Sequence, residues 1–212
     1  MTDKKRPYRM KRRAELEAAT RLRITESAVF LHGSIGPAQT SIAAIAKHAG
    51  VRRSTVYRHF PDEHALYSAC SAHWRATNPP PDIAQWAKIA DPDLRLKSAL
   101  AEFCAYYRRT ERMWQNVLRD EEVVPVLKPL LNGYRQYLAA ARQVLGAGRN
   151  LPAPAQREVD AVISHALSFH TWRSLAIEQG LDDAAIVRLL CVWAKAASSL
   201  AAPRQLSTSA AK

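Results

Sequence analysis

The stretch TSIAAIAKHAGVRRSTVYRHF, residues 40–60, constrains this chain more than any other. Ile42, Ile45 and Ala46 recur at helical spacing, Thr40 stands where an N-cap is expected, and Gly50 follows as a C-terminal stop. From Val51 a second short helix runs to about His59, with Val56 and Phe60 facing inward. A helix, a three-residue turn containing glycine and another helix form the helix-turn-helix outline. Pro61-Asp62 then cap a helix carrying Ala65, Leu66, Ala69 and Trp74. Upstream, Leu16, Ala19, Ile24, Ala28, Val29 and Leu31 mark a first helix from about Arg12 to Leu31, ended by Gly33 and Gly36.

The rest of the chain is also punctuated as helices. Asn78-Pro79-Pro80-Pro81-Asp82 is a stiff break, and a domain boundary is expected there. Asp91-Pro92-Asp93 opens a helix with Leu96, Leu100, Phe103, Cys104 and Tyr107 on one face. A turn is expected around Thr110, then a short helix with Met113, Trp114, Val117 and Leu118, then a helix from about Val124 to Leu145. Gly146-Ala147-Gly148 separates this from a helix over about Ala155 to Gln179. Gly180 stops that helix, Asp182 or Asp183 caps the last one, and Pro203 ends the ordered part. No alternating strand pattern appears, so the expected fold is all-α with about nine helices. The expected division is a basic tail over 1–15, a helix-turn-helix domain over 16–66, a connecting helix over 67–77, a second helical domain over 78–202 and a disordered tail over 203–212.

Charge separates the first part from the remainder. Residues 1–60 hold thirteen Lys and Arg against four acids, a balance of +9 out of the chain's +12. A localised positive field attracts a polyanion, and nucleic acid is the commonest one in a cell; a solvated basic tail is the bland alternative. A helix entering the major groove N-terminus first offers its opening turns to base edges. Arg52 and Arg53 suit the guanine O6 and N7, while Ser54, Thr55, Tyr57 and His59 suit phosphate oxygens, and Thr40 adds a hydroxyl at the preceding helix start. The three cysteines, Cys70, Cys104 and Cys191, are odd in number and far apart. No leader or transmembrane-length run is present, and the chain reads as a soluble cytoplasmic protein.

Residues 40–66, TSIAAIAKHAGVRRSTVYRHFPDEHAL, resemble the signature of the TetR family of transcriptional regulators. They share its Ile-Ala pair, its Ala-Gly-Val turn, Thr-Val-Tyr and then His-Phe in the recognition helix, and a leucine in the next helix. The resemblance implies N-terminal helices that bind a palindromic DNA operator, and a divergent all-α domain that holds a small-molecule pocket and forms a homodimer. It also implies repression as the usual mode, with release when an effector shifts the helix after the recognition helix. Two departures stand out. Glu63 occupies a position where the family commonly has a phosphate-contacting lysine, and the tail from Lys4 to Arg13 is unusually basic. From these, tail contacts to phosphate or the minor groove are expected to offset the missing lysine.

In the second domain, Phe103, Tyr107, Trp114, Tyr134, His165, Phe169 and Trp172 are candidates to line a pocket for an apolar or aromatic effector, with His165 or His170 and Glu102 as polar anchors; core packing is the alternative for most of them. Leu189, Val192, Trp193, Ala196 and Leu200 on the last helix carry more apolar surface than a helical hairpin can hide, which suggests a two-fold four-helix dimer interface. No phosphate-cradling glycine loop is found, and Cys70, His73 and His64 make only a loose ligand set. No catalytic residue, cofactor, metal or membrane partner is therefore expected. The competing readings are an all-α ligand-sequestering protein without specific DNA binding and a non-specific nucleic-acid binder.

Overall fold

The computed structural model describes residues 5–200. Within them are ten α-helices and no strand: α1 (Lys5–Ser34), α2 (Ile42–His48), α3 (Arg53–His59), α4 (Glu63–Thr77), α5 (Ile83–Ala87), α6 (Pro92–Asp120), α7 (Leu127–Gly146), α8 (Ala153–Ala166), α9 (Phe169–Arg173) and α10 (Asp183–Leu200). A 3-10 turn covers Pro37–Gln39, and a π-helical turn, Ser174–Glu178, follows α9. The expected tail over 203–212 and the first four residues lie outside the described residues.

Several boundaries differ from the sequence expectation for local reasons. α6 runs through Thr110 unbroken, because no glycine or proline lies between Pro92 and Asp120. The helix expected over 155–179 breaks at Leu167, whose carbonyl accepts from the Tyr107 hydroxyl at 2.7 Å, and Ser168 starts α9 by accepting from the His170 N–H. α5 is a helix that periodicity does not announce; Asp82 caps it by accepting from the Ala84 N–H, and Trp86 anchors it in the core. At the start of α2 the cap is Ser41, whose Oγ accepts from the Ala44 N–H at 3.1 Å. The Thr40 hydroxyl instead donates back to the Gly36 carbonyl at 2.7 Å.

The described chain divides into two compact units. One comprises the residues up to Pro79 together with Thr110–Gly133; the other comprises Pro80–Arg109 and the residues from Tyr134 onward. In the first unit a small core joins four helices: Ile24 and Ala28 from α1, Ile45, Ala46 and Ala49 from the α2 region, Val56 and Phe60 from the α3 region, and Leu66 and Cys70 from α4. Such a core is sensitive to truncation, since removing a buried phenylalanine costs about 3–5 kcal/mol.

The end of α6 grips the turn between α1 and α2. Asn116 Nδ2 donates to the carbonyls of His32 and Gly33, both at 3.0 Å. The buried Asp120 carboxylate accepts from the Ala38 N–H at 2.9 Å and from Arg119 at 2.7 Å, and Arg119 also reaches the Ile35 carbonyl at 3.1 Å. Gly36 sits inside this grip with φ +96°, and a Cβ there would stand 2.5 Å from Asp120 Oδ2 and in collision with the Arg119 guanidinium. Beside it, His32 is buried and stacks on Tyr67 with ring centroids 4.8 Å apart.

The second unit is built around aromatic rings and a helical hairpin. α8 packs on α10, which buries Ile186, Val187, Leu190, Ala194 and Ala197. Arg95 and Arg149 pin the glycine-rich α7–α8 loop: Arg95 donates to the Ile89 and Ala147 carbonyls, and Arg149 to Asp93 at 2.8 Å and to the Pro92 carbonyl.

Two outcomes are expected from the grip. Gly36→Ala combines left-handed backbone strain with the clash on Asp120 and Arg119, so it lowers stability by about 2–3 kcal/mol, and thermal unfolding will show the drop in Tm. Burial pushes the His32 imidazole down from 6.5 to about 4, with the Asp120 carboxylate opposing the shift. His32 is thus neutral when folded and protonated when unfolded between these values, so stability falls as pH drops from 6.5 towards 4, by up to about 1.4 kcal/mol per pH unit. In His32→Phe, denaturant titrations across this window should give a visibly flatter profile.

Candidate nucleic-acid interface

The recognition surface follows from how α3 is anchored. Ala49, after the last turn of α2, is buried. Gly50 takes φ +64°, and a Cβ there would meet nothing within 4 Å, so the backbone conformation alone calls for glycine. The Val51 N–H returns to the Ala46 carbonyl at 2.9 Å and closes the turn. Val56 and Phe60, four residues apart, are buried; this leaves Arg53, Ser54 and Tyr57 on the outward face, with Tyr57 49% exposed. Arg52 holds the N-cap position through its backbone only, so its exposed guanidinium is not committed to capping. Thr55 is half-buried.

His59 is less open than Arg53, Ser54 and Tyr57. Its spacing from Val56 turns it toward the core side, where it is half-buried, and its Nε2 is enclosed with no hydrogen-bond partner among the described residues. Burial, and then the neighbouring Arg58 and Arg21, lower its pKa and disfavour a charged ring. Its carbonyl accepts from the Arg21 guanidinium, which also lies 4.1 Å from the centre of the Phe60 ring. Arg21 therefore clamps α1 onto the end of α3, a role its position in sequence does not reveal.

Thr40 is half-buried and lines a cleft of about 430 Å³ that also includes Ser41, Arg53, Tyr57 and Glu63. Ser41 is exposed at the start of α2, so the role expected of Thr40 there is also open to its neighbour, a residue the sequence pattern does not single out. Glu63 opens α4 exposed, directly after Asp62, which caps that helix by accepting from the Ala65 N–H at 2.7 Å. The two acids leave this helix start unattractive to a phosphate.

Five of the seven candidate effector residues come together in the second unit. Tyr107 is central: its ring centroid lies 5.6 Å from Phe103, 5.4 Å from Phe169 and 5.8 Å from Trp172. Its hydroxyl proton goes to the Leu167 carbonyl, so the Tyr134 hydroxyl, 2.6 Å away, donates to the Tyr107 oxygen. Phe103, Tyr107, Phe169 and Trp172 are all buried and Tyr134 is half-buried. Glu102 accepts from Trp86 Nε1 at 3.1 Å, whereas the buried Trp172 Nε1 has no acceptor among the described residues. Trp114 lies elsewhere, in the first unit, edge-on to Trp74 at 5.6 Å. His165 is exposed and sits edge-on to Trp193 at 5.3 Å, and His170 is exposed beside Phe169.

On α10, Leu189, Val192 and Trp193 are 49%, 61% and 43% exposed, and Ala196 continues the same stripe. The stripe lies beside the buried Ile186, Leu190 and Ala194; Trp193 meets His165 of α8, while Leu189, Val192 and Ala196 stay exposed within the described chain. The side chain of Leu200 lies outside the described residues. Among those residues, no group of three His, Cys, Asp or Glu could hold a metal, and no helix is long and apolar enough to cross a membrane.

Residues 24–70 match the family model of the bacterial regulatory proteins, tetR family. No curated protein matches the chain. Among solved structures, one assigned as a TetR-family transcriptional regulator from Mesorhizobium loti aligns with 87% of this chain and 97% of its own, at 16% identity and a TM-score of 0.60. A TetR-like transcriptional regulator from Rhodococcus sp. RHA1 covers 84% and 94% at 16% identity and 0.59. A Clostridium perfringens protein assigned as a fatty acid metabolism regulator covers 81% and 96% at 14% identity and 0.57. At these identities the likeness is one of fold. The family match falls on the helices that present Arg52, Arg53, Ser54 and Tyr57, so residues 24–70 carry the DNA-binding helix-turn-helix of the bacterial regulatory proteins, tetR family.

Proposed function

We propose that the protein is a homodimeric repressor that reads a palindromic operator through α3 and releases it when a small apolar or aromatic effector binds in the second unit. The observation that carries the reading is α3 itself. A helix held from behind by Val56 and Phe60 offers two uncommitted guanidinium groups, a serine and a tyrosine on its open side. In this reading Arg52 and Arg53 take base edges, Ser54, Thr55 and Tyr57 take phosphates or a thymine methyl, and Thr40 with Ser41 holds a phosphate at the start of α2. The open stripe on α10 supports pairing with a second copy, because its four apolar residues recur at helical spacing on one face.

The aromatic cluster around Tyr107 supports the effector site. Its rings are closely packed, but Trp172 Nε1 is a buried donor awaiting an acceptor, which an effector oxygen can supply. An effector that prefers one arrangement of these rings acts on α6, which carries Tyr107 at one part of its length and Asn116, Arg119 and Asp120 at another.

Selection of bound sites from random duplexes with purified protein should yield an inverted repeat, and recovery of no preferred site would exclude the reading. Arg53→Ala should weaken binding to the selected site about 10- to 100-fold and relax one base position in each half-site. On α10, Val192→Glu puts a charge in the apolar stripe; sedimentation should then show monomers and operator affinity should fall at least about tenfold, whereas an intact dimer would remove α10 from the interface.

A further inference from the structure

We propose that the N-terminal part of α1 is a second nucleic-acid contact, a helical extension that binds DNA phosphates flanking the bases faced by α3. The proposal rests on the operator-binding reading above but concerns residues outside it, since the family match begins only at residue 24.

Every residue from Tyr8 to Ala19 is exposed, although α1 is continuous from Lys5 to Ser34 and is first buried at Ile24. The extension is therefore held helical mainly by its continuity with the packed half, and its side chains are presented to solvent. Arg9, Lys11, Arg12 and Arg13 precede the first acid of the described helix, Glu15. No acid sits in the first turn, so these cations lie at the positive end of the helix dipole, an arrangement that an approaching polyanion relieves. Arg13 pairs with Glu17 at 3.3 Å, but both side chains are exposed and the pair is weak.

The attachment point favours DNA. Arg21 binds the carbonyl of His59, the last residue of α3, and covers Phe60, so the extension departs from the C-terminal end of the recognition helix. From Arg21 to Arg9 it spans roughly 18 Å at about 1.5 Å per residue, and duplex DNA presents a phosphate about every 1.7 Å of axis. The head also needs cations from elsewhere, because α4 opens with Asp62 and Glu63. A membrane fits less well. Helical spacing scatters Tyr8, Met10, Leu16 and Leu22 around the helix with the arginines between them, and an interfacial helix needs a segregated apolar face.

The test uses the full chain and the triple variant Arg9→Gln, Arg12→Gln, Arg13→Gln, whose side chains touch no core. Dissociation constants are measured from about 50 to 300 mM salt on the selected site and on a scrambled duplex. The variant should bind both duplexes about 10- to 100-fold more weakly at about 100 mM salt, with log–log slopes shallower by about 2–3, while its preferred sequence is unchanged. An unchanged slope overturns the proposal, and so does loss of binding to phosphatidylglycerol vesicles without a change in slope. Arg53→Ala should instead narrow the preference between the duplexes and keep the extension's share of the slope. If the unaltered chain shows no sequence preference, the operator reading fails, while the slope on the scrambled duplex still decides this one.

Discussion

The DNA-reading half of this protein depends on a turn that cannot accept a side chain. Gly36 adopts φ +96° against the Asp120 carboxylate and the Arg119 guanidinium, and Asp120 accepts the Ala38 N–H of the short 3-10 turn. One helical turn earlier on α6, Asn116 holds carbonyls near the end of α1. These contacts fix where α1 stops and therefore where α2 begins. Gly50 then sets the angle from α2 into α3, and Arg21 closes the circle by tying the end of α3 back to α1. Each contact is modest by itself, but together they join the end of α6 to the backbone that positions α2 and α3.

The two units solve their packing differently. The cluster that joins α1 to α4 relies on aliphatic and small residues with one phenylalanine, which lets four helices approach closely, while Tyr67 and Trp114 are buried elsewhere in that unit. The second is filled by large rings around Tyr107 whose hydroxyls must find partners in a dry interior; the chain Tyr134 to Tyr107 to the Leu167 carbonyl answers that need and also breaks the helix at Leu167. The break continues into a π-helical turn at Ser174–Glu178, a distortion often found near ligand sites. An all-aliphatic core would have no such defects to exploit.

Most of the helical outline is legible in the sequence because it is written in periodicity and in glycine and proline, both local signals. So are the outward Arg52, Arg53, Ser54 and Tyr57, since the buried partners Val56 and Phe60 set the phase of a short helix. What escapes is decided by tertiary contacts or by near-equal local choices. Thr40 and Ser41 are adjacent hydroxyl residues, and only the backbone shows which one caps α2. His59 has the chemistry of a polar donor, yet its neighbours enclose it. Trp114 falls among the effector aromatics only if the chain turns at Thr110; because α6 runs on, that ring belongs to the first unit. The partners of Gly36 are more than eighty residues away in sequence, where no periodicity points.

That separation also bears on how the chain is made. It passes from one unit to the other after Pro79, Arg109 and Gly133, so neither unit is a continuous segment. During synthesis α1 to α4 leave the ribosome with the turn at Gly36 still lacking its carboxylate, because Asp120 is 82 residues behind Ala38. At about 5–20 residues per second that interval lasts roughly 4–16 s. For that time the DNA-reading helices exist without the piece that sets their angle. A chain that ends before Asp120 therefore lacks the carboxylate that accepts the Ala38 N–H.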